Sequence, residues 1–139
     1  MDEIINLTLV TPERRLISAQ VKQLTARALQ GQVEILPGHA NYITILDAGE
    51  LAYEEEGKKR LVAVSGGFAE VTLDQGIKIM AEAAEFAEDI DAERARAAKE
   101  RAEKRIQAHI STQEEIDLAR AETALKRSLI RLQVAGKAQ

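Results

Sequence analysis

Arg120, Arg127 and Arg131 stand near the end of the chain at spacings of seven and four residues. At about 100° per helical residue, these spacings place them within about 40° of one another on one face. Guanidinium groups are planar, permanently charged donors, so such a cluster suits a phosphate chain or an acidic partner surface. Acids near Arg127 and Arg131 are scarce, with Thr123 and Ala124 one turn before Arg127 and Leu129 and Ile130 just beyond it. A ligand face and a merely solvated face both stay open there. Upstream, Arg94, Arg101 and Arg105 repeat the same spacing, but Glu93 and Glu100 lie three or four residues before Arg96 and Lys104, which favours a solvated face with local ion pairs.

Other reactive side chains point to less. His39, in "LPGHAN", follows a Pro-Gly turn and is either an ordinary loop histidine or a partner contact. Neither His39 nor His109 has companions at metal-ligand spacing, and the absence of cysteine removes thiolate ligands, disulfides and thiol nucleophiles. "SGGFAEV" lacks the Lys and Ser/Thr of a phosphate loop and precedes a strand, so Gly66 and Gly67 read as turn or bulge glycines. No Ser/His/Asp arrangement or isolated carboxylate pair stands out among 23 acids, so a chain that catalyses nothing by itself is expected.

The elements that must position these residues divide the 139-residue chain in two. From Ile4 to about Ala84, short apolar runs ("IINLTLV", "KQLTARAL", "VEIL", "YITIL", "ELAYEE", "RLVAVS", "FAEVTL", "IKIMAEA") alternate with turn-forming separators such as "PGHAN", "DAGE", "EEGKK" and "SGG". Many short strands at about this spacing predict an antiparallel β-sandwich or flattened barrel. From Asp91 there is no proline and no glycine until Gly136, and strong helix formers dominate. Asp91 is the natural N-cap of a first helix, with Glu93 in its first turn. Ser111 or Thr112, with Glu114 or Glu115 three residues on, could cap a second.

Two such helices predict an antiparallel hairpin, giving an α+β chain overall, with residues 1–87 as sandwich and 88–139 as hairpin. The first helix offers a stripe of Ala95, Ala98, Ala102 and Ile106, and the second one of Leu118, Ala121, Leu125, Leu129 and Leu132. At roughly 25 cal/mol per Å², an alanine-rich seam stabilises little, so the hairpin is expected to dock weakly and to be able to occupy two positions.

Composition narrows the function further. A net charge of -4 and a pI near 5.3, with two Tyr, two Phe and no Trp, argue against a nucleic-acid binder. No apolar stretch approaches the ~20 residues of a spanning helix, and the first residues lack a signal-peptide pattern, so no membrane insertion is expected.

The ordered motifs "ILPGHA", "AVSGGFAEV", "AEAAEFAEDIDAERA" and "IDLARAETALKRSLIRLQVA" together resemble the epsilon-subunit family of the bacterial F-type ATP synthase over essentially the whole chain. The resemblance implies a non-catalytic central-stalk subunit, peripheral on the cytoplasmic face of the cell membrane. Its sandwich would bind the gamma subunit and rest by its base loops on the c-ring, with Gln32 and His39 as c-ring contacts. Its hairpin would either fold compactly or extend into the alpha and beta subunits and block ATP hydrolysis, with Arg120, Lys126, Arg127 and Arg131 facing beta.

The resemblance also extends to a box that in some members binds ATP as a regulatory ligand. It implies Glu85, Ile90, Asp91, Arg94, Ala95, Arg127 and Arg131 as nucleotide contacts and leaves magnesium open. At 100 times its Kd, ATP would favour the compact state by about 2.7 kcal/mol. Two positions depart from the family pattern: Glu34 stands where glycine is usual, and Asn41 where proline often follows "GHA". A passive β-sandwich adaptor with a helical docking arm is the alternative.

Overall fold

The computed structural model describes residues 3–112 and 118–137. The chain separates into two compact units, Met1–Phe86 and Ala87–Gln139. The first unit holds β1 (Ile5–Val10), β2 (Arg15–Val21), β3 (Gln23–Ala28), β4 (Gly31–Ile35), β5 (Tyr42–Glu55), β6 (Lys58–Thr72), β7 (Gly76–Ala81) and β8 (Ala84–Phe86). The strands pair in the order β2-β1-β7-β6-β5-β3-β4, with β8 added to β6, and the pairing is antiparallel except for β1 with β7.

Folding back of this continuous ladder into a sandwich depends on the two long strands. "DAGE" and "SGG", read from sequence as separators between strands, instead lie inside β5 and β6, which run 14 and 15 residues. Leu46 pairs with Gly67 and Ala48 with Ser65, and β3 shifts register against β5 between Thr25 and Ala28. The β3–β5 shift is an irregularity of the kind that bends a strand and lets it serve two layers. The small residues of β5 and β6 lie within a ladder that keeps one register on both sides of them, where sequence suggested chain reversals.

The enclosed core contains Leu7, Leu9, Ile17, Val21, Leu24, Ile35, Leu51, Val62, Val71, Ile77 and Ile79, contributed by seven strands in alternation. β2 ("RLISAQV") has no counterpart among the expected strands. Its buried residues, Ile17 and Val21, are four apart, with small or polar side chains between them that hide the period-2 signal.

The second unit begins with a short 3-10 turn, Ala87–Asp89, followed by α1 (Ala92–Thr112) and α2 (Leu118–Gly136). Helix α1 extends through Ser111 and Thr112, so these residues belong to the first helix; the remaining capping partners, Glu114 and Glu115, lie outside the described residues. The helices pack against each other, and α2 also contacts the 3-10 turn. Because α1 is 21 residues, or about 31 Å, long, α2 reaches that turn by running back antiparallel to α1.

Ala95, Ala98, Ala102 and Ile106 are buried or half-buried, as the first stripe required. On α2 the buried arc passes through Ala121, Leu125, Ser128 and Leu132, and Leu129 is left 45% exposed. Leu129 lies about 80° around from Ala121, whereas Ser128 lies only about 20° away on the other side. Ser128 tolerates burial because its hydroxyl donates to the Ala124 carbonyl at 2.9 Å. No helix among the described residues is long and apolar enough to cross a membrane.

Candidate functional site

Three loops meet at one end of the sandwich. Pro37 and Gly38 form a turn closed by the His39 N–H donating to the Leu36 carbonyl at 3.1 Å, and Gly38 supplies the required φ of 81°. His39 hydrogen-bonds the Ala40 carbonyl through Nδ1 at 2.7 Å, and its ring lies 5.6 Å from that of Tyr42. From the β3–β4 turn, Gln30 donates its amide to the Tyr42 hydroxyl at 3.0 Å and to Thr44 Oγ1 at 3.2 Å. The third loop, between β6 and β7, is tied in by the Leu73 N–H donating to Asn41 Oδ1 at 3.1 Å. Tyr42 and Asn41 thus join loops that are distant in sequence. Gln32 is exposed at the start of β4, opposite Arg27.

A second surface lies on the outer face of the sheet. Ile45 pairs with Phe68, Phe68 with Met80, and Met80 with Val10, so these four side chains form a row across four strands. Ile45, Phe68 and Met80 are 59%, 40% and 52% exposed. Ile43 adds to the row from the same side of β5, and the adjacent row carries Glu70 and Lys78. Contiguous exposed apolar side chains rimmed by charge mark an interaction surface. Sequence reasoning missed this row because "YITIL" and "IKIM" are apolar at both parities.

The helical unit carries the arginines. Asp91 caps α1: its Oδ1 accepts from the Arg94 N–H at 3.1 Å, and its carbonyl accepts from the Ala95 N–H at 3.0 Å. Ile90 is half-buried, Ala95 fully buried, and the Arg94 side chain is exposed. Arg120, Lys126 and Arg127 are exposed and Arg131 is half-buried. The antiparallel course of α2 returns its C-terminal half, with Arg127 and Arg131, towards the capped end of α1. Among the described residues the i,i+4 ion pair on α1 is Lys99 with Glu103 at 3.6 Å, in place of the expected Glu93–Arg96 and Glu100–Lys104 pairs. Glu85 is half-buried on β8 and belongs to the sandwich unit. Among the described residues, no group of three His, Cys, Asp or Glu could hold a metal ion.

Replacing Asp91 with Ala removes the partner of an orphan amide and is expected to cost the hairpin about 1 kcal/mol. Amide exchange at Arg94 and Ala95 should accelerate about fivefold, while exchange in the β6–β7 ladder stays unchanged.

Residues 4–87 match the family model of the ATP synthase delta/epsilon chain β-sandwich domain, and residues 88–136 match the long α-helix domain of the same chain. The chain belongs to the ATP synthase epsilon-chain family. It is 44% identical to the epsilon chain of Nitratidesulfovibrio vulgaris over 99% of this chain and 100% of that one. The identity to the epsilon chain of Halalkalibacterium halodurans is also 44%, over 96% and 98% of the two chains.

Among solved structures, it is similar to a chain of the Euglena gracilis mitochondrial ATP synthase, with a TM-score of 0.77 and 29% identity, covering 100% of this chain and 83% of that one. A chain of the Tetrahymena thermophila enzyme shares the fold at a TM-score of 0.59 and 17% identity, over 99% and 97% of the two chains. The sandwich-then-hairpin arrangement of the epsilon-chain family is therefore the arrangement found here.

Proposed function

We propose that this chain is a rotor subunit of the F-type ATP synthase, docking on gamma through the outward apolar row and resting on the c-ring through its base loops. The observation that carries the docking is the Ile45, Phe68, Met80 row, a continuous exposed apolar strip with Ile43, Glu70 and Lys78 beside it. Membership of the epsilon-chain family supports the assignment. The similar chains come from structures described as F1/c-ring and central stalk/c-ring assemblies, which fits a position between gamma and the ring. Gln32 and His39, the latter held by its turn and against Tyr42, are the ring-facing polar groups of this proposal.

The hairpin supplies regulation. Its compact form rests on a seam of small residues, and its opening would present Arg120, Lys126, Arg127 and Arg131 to acidic segments of the beta subunit and so restrain ATP hydrolysis. ATP bound by Asp91, Arg94, Arg127 and Arg131 would draw like charges together around its phosphates and hold the compact form.

Binding to purified gamma is the deciding measurement. The parent chain should form a stable complex, and Phe68→Asp should weaken it by about tenfold or more with an unchanged thermal midpoint. Equal affinity of parent and variant would remove the apolar row from the interface. For the regulatory part, truncation after Glu88 in the reconstituted enzyme should raise ATP hydrolysis; an unchanged rate would make the hairpin a passive docking arm. Calorimetric titration of ATP into the parent chain and Arg127→Ala tests nucleotide sensing, and no heat at millimolar ATP ends it.

A further inference from the structure

The β6–β7 turn is the least expected part of the loop end. Leu73 is 70% exposed, and its neighbours Asp74 and Gln75 are exposed as well. An apolar side chain at the tip of a turn gains nothing from solvent, and this turn is not loose. The Gln75 N–H donates to Thr72 Oγ1 at 3.1 Å, Lys78 donates to Gln75 Oε1, and the Leu73 N–H is held by Asn41. The last bond spans 32 residues of sequence and joins the turn directly to the residue after "PGHA". Both loops also border one cleft of about 270 Å³, lined by Ile4, Gly38, His39, Leu73 and Asp74 among others.

Asn41 occupies a position that a proline could fill only by giving up this bond, because proline has no side-chain acceptor. Its carboxamide fixes where the Leu73 backbone stands relative to the loop that carries His39. A lone surface leucine carries no message, but one pinned to a loop already facing a partner extends that contact.

We propose that Leu73 is a further c-ring contact, continuous with His39, and that Asn41 is the positioning residue that sets it. The inference rests on the proposed seating of the base loops on the c-ring. Leu73 supplies an apolar anchor beside the polar His39 and Gln32, and the Asn41 bond makes the two loops move as one body as the ring turns.

The chain has no cysteine, so single cysteines can be introduced cleanly. His39→Cys and Leu73→Cys, each assembled into the whole ATP synthase with a cysteine in the exposed loop of the c subunit, are exposed to a short bifunctional maleimide. Both should cross-link to the ring. In the Leu73→Cys background, Asn41→Ala should lower the yield about fivefold, the factor one hydrogen bond supplies, and Asn41→Asp, which keeps an acceptor, should restore it. The His39→Cys yield should not change with either.

Cross-linking from His39→Cys without any from Leu73→Cys overturns the inference and leaves the seating of the base loops intact. Cross-linking from neither removes that seating and the inference together. A Leu73→Cys yield indifferent to Asn41→Ala removes the positioning role.

Discussion

Gly67→Ala is expected to destabilise the sandwich by about 3 kcal/mol or more, the sum of backbone strain and overpacking. Gly67 has a φ of 135°, a region that L side chains rarely adopt, and a Cβ there would collide with the Met80 carbonyl and lie 2.8 Å from Ala81 Cα. These are backbone atoms of a paired strand, since Gly67 lies between Leu46 of β5 and Ala81 of β7. The neighbour cannot rotate away as a side chain could. Relief requires β6 and β7 to part, which breaks the ladder next to the apolar row.

Urea denaturation followed by far-ultraviolet circular dichroism should show the midpoint falling with little change in slope. Gly57→Ala is the control. Gly57 also has a positive φ, of 80°, but nothing lies within 4 Å of its added Cβ, so only the conformational cost of about 1 kcal/mol remains. Equal midpoints for the two variants would show that the close approach of β6 and β7 does not limit stability.

Ser128→Leu should open the hairpin. Ser128 is 3% exposed on a seam whose buried positions include Ala95 and Ala102 on α1 and Ala121 on α2, and a seam of such small side chains leaves little room for a γ-branched one. Overpacking at such a seam costs about 3 kcal/mol. Protection of the α2 amides in hydrogen exchange should therefore drop by about 100-fold, while the core strands keep theirs.

Ser128→Ala distinguishes crowding from hydrogen bonding. It removes the bond to Ala124 together with its hydroxyl, leaves no buried polar atom of its own, and should change protection by less than about fivefold. In the assembled enzyme, Ser128→Leu should shift the balance towards the open hairpin and lower ATP hydrolysis at a given ATP concentration. Higher hydrolysis would reverse the assigned direction of the switch.

The helical half was the more legible. Helix formers without interruption, the Asp91 cap and the 95–98–102–106 stripe are local signals, and local hydrogen bonding realises them with few demands on the rest of the chain. The α2 stripe was legible only to about one residue. Leucine at 129 and serine at 128 read in favour of the leucine, but a seam built on buried alanines encloses the smaller residue.

The sandwich class was also legible, from strand-length alternation and turn residues. Its continuity was not: "DAGE" and "SGG" look the same in sequence whether the chain reverses or runs on, and only the pairing of Leu46 with Gly67 and Ala48 with Ser65 distinguishes the two.

By itself, then, the sequence determined that a strand-built unit precedes a helical one, the helix boundary at Asp91 and the charge of the last helix, all of which depend on neighbours within a few residues. Tertiary structure alone decided which apolar face of β5, β6 and β7 meets solvent, where Ser128 is enclosed, and that Asn41 holds Leu73. Each of these depends on the register between segments far apart in the chain, and a shift of one residue would exchange the buried and exposed faces of a strand.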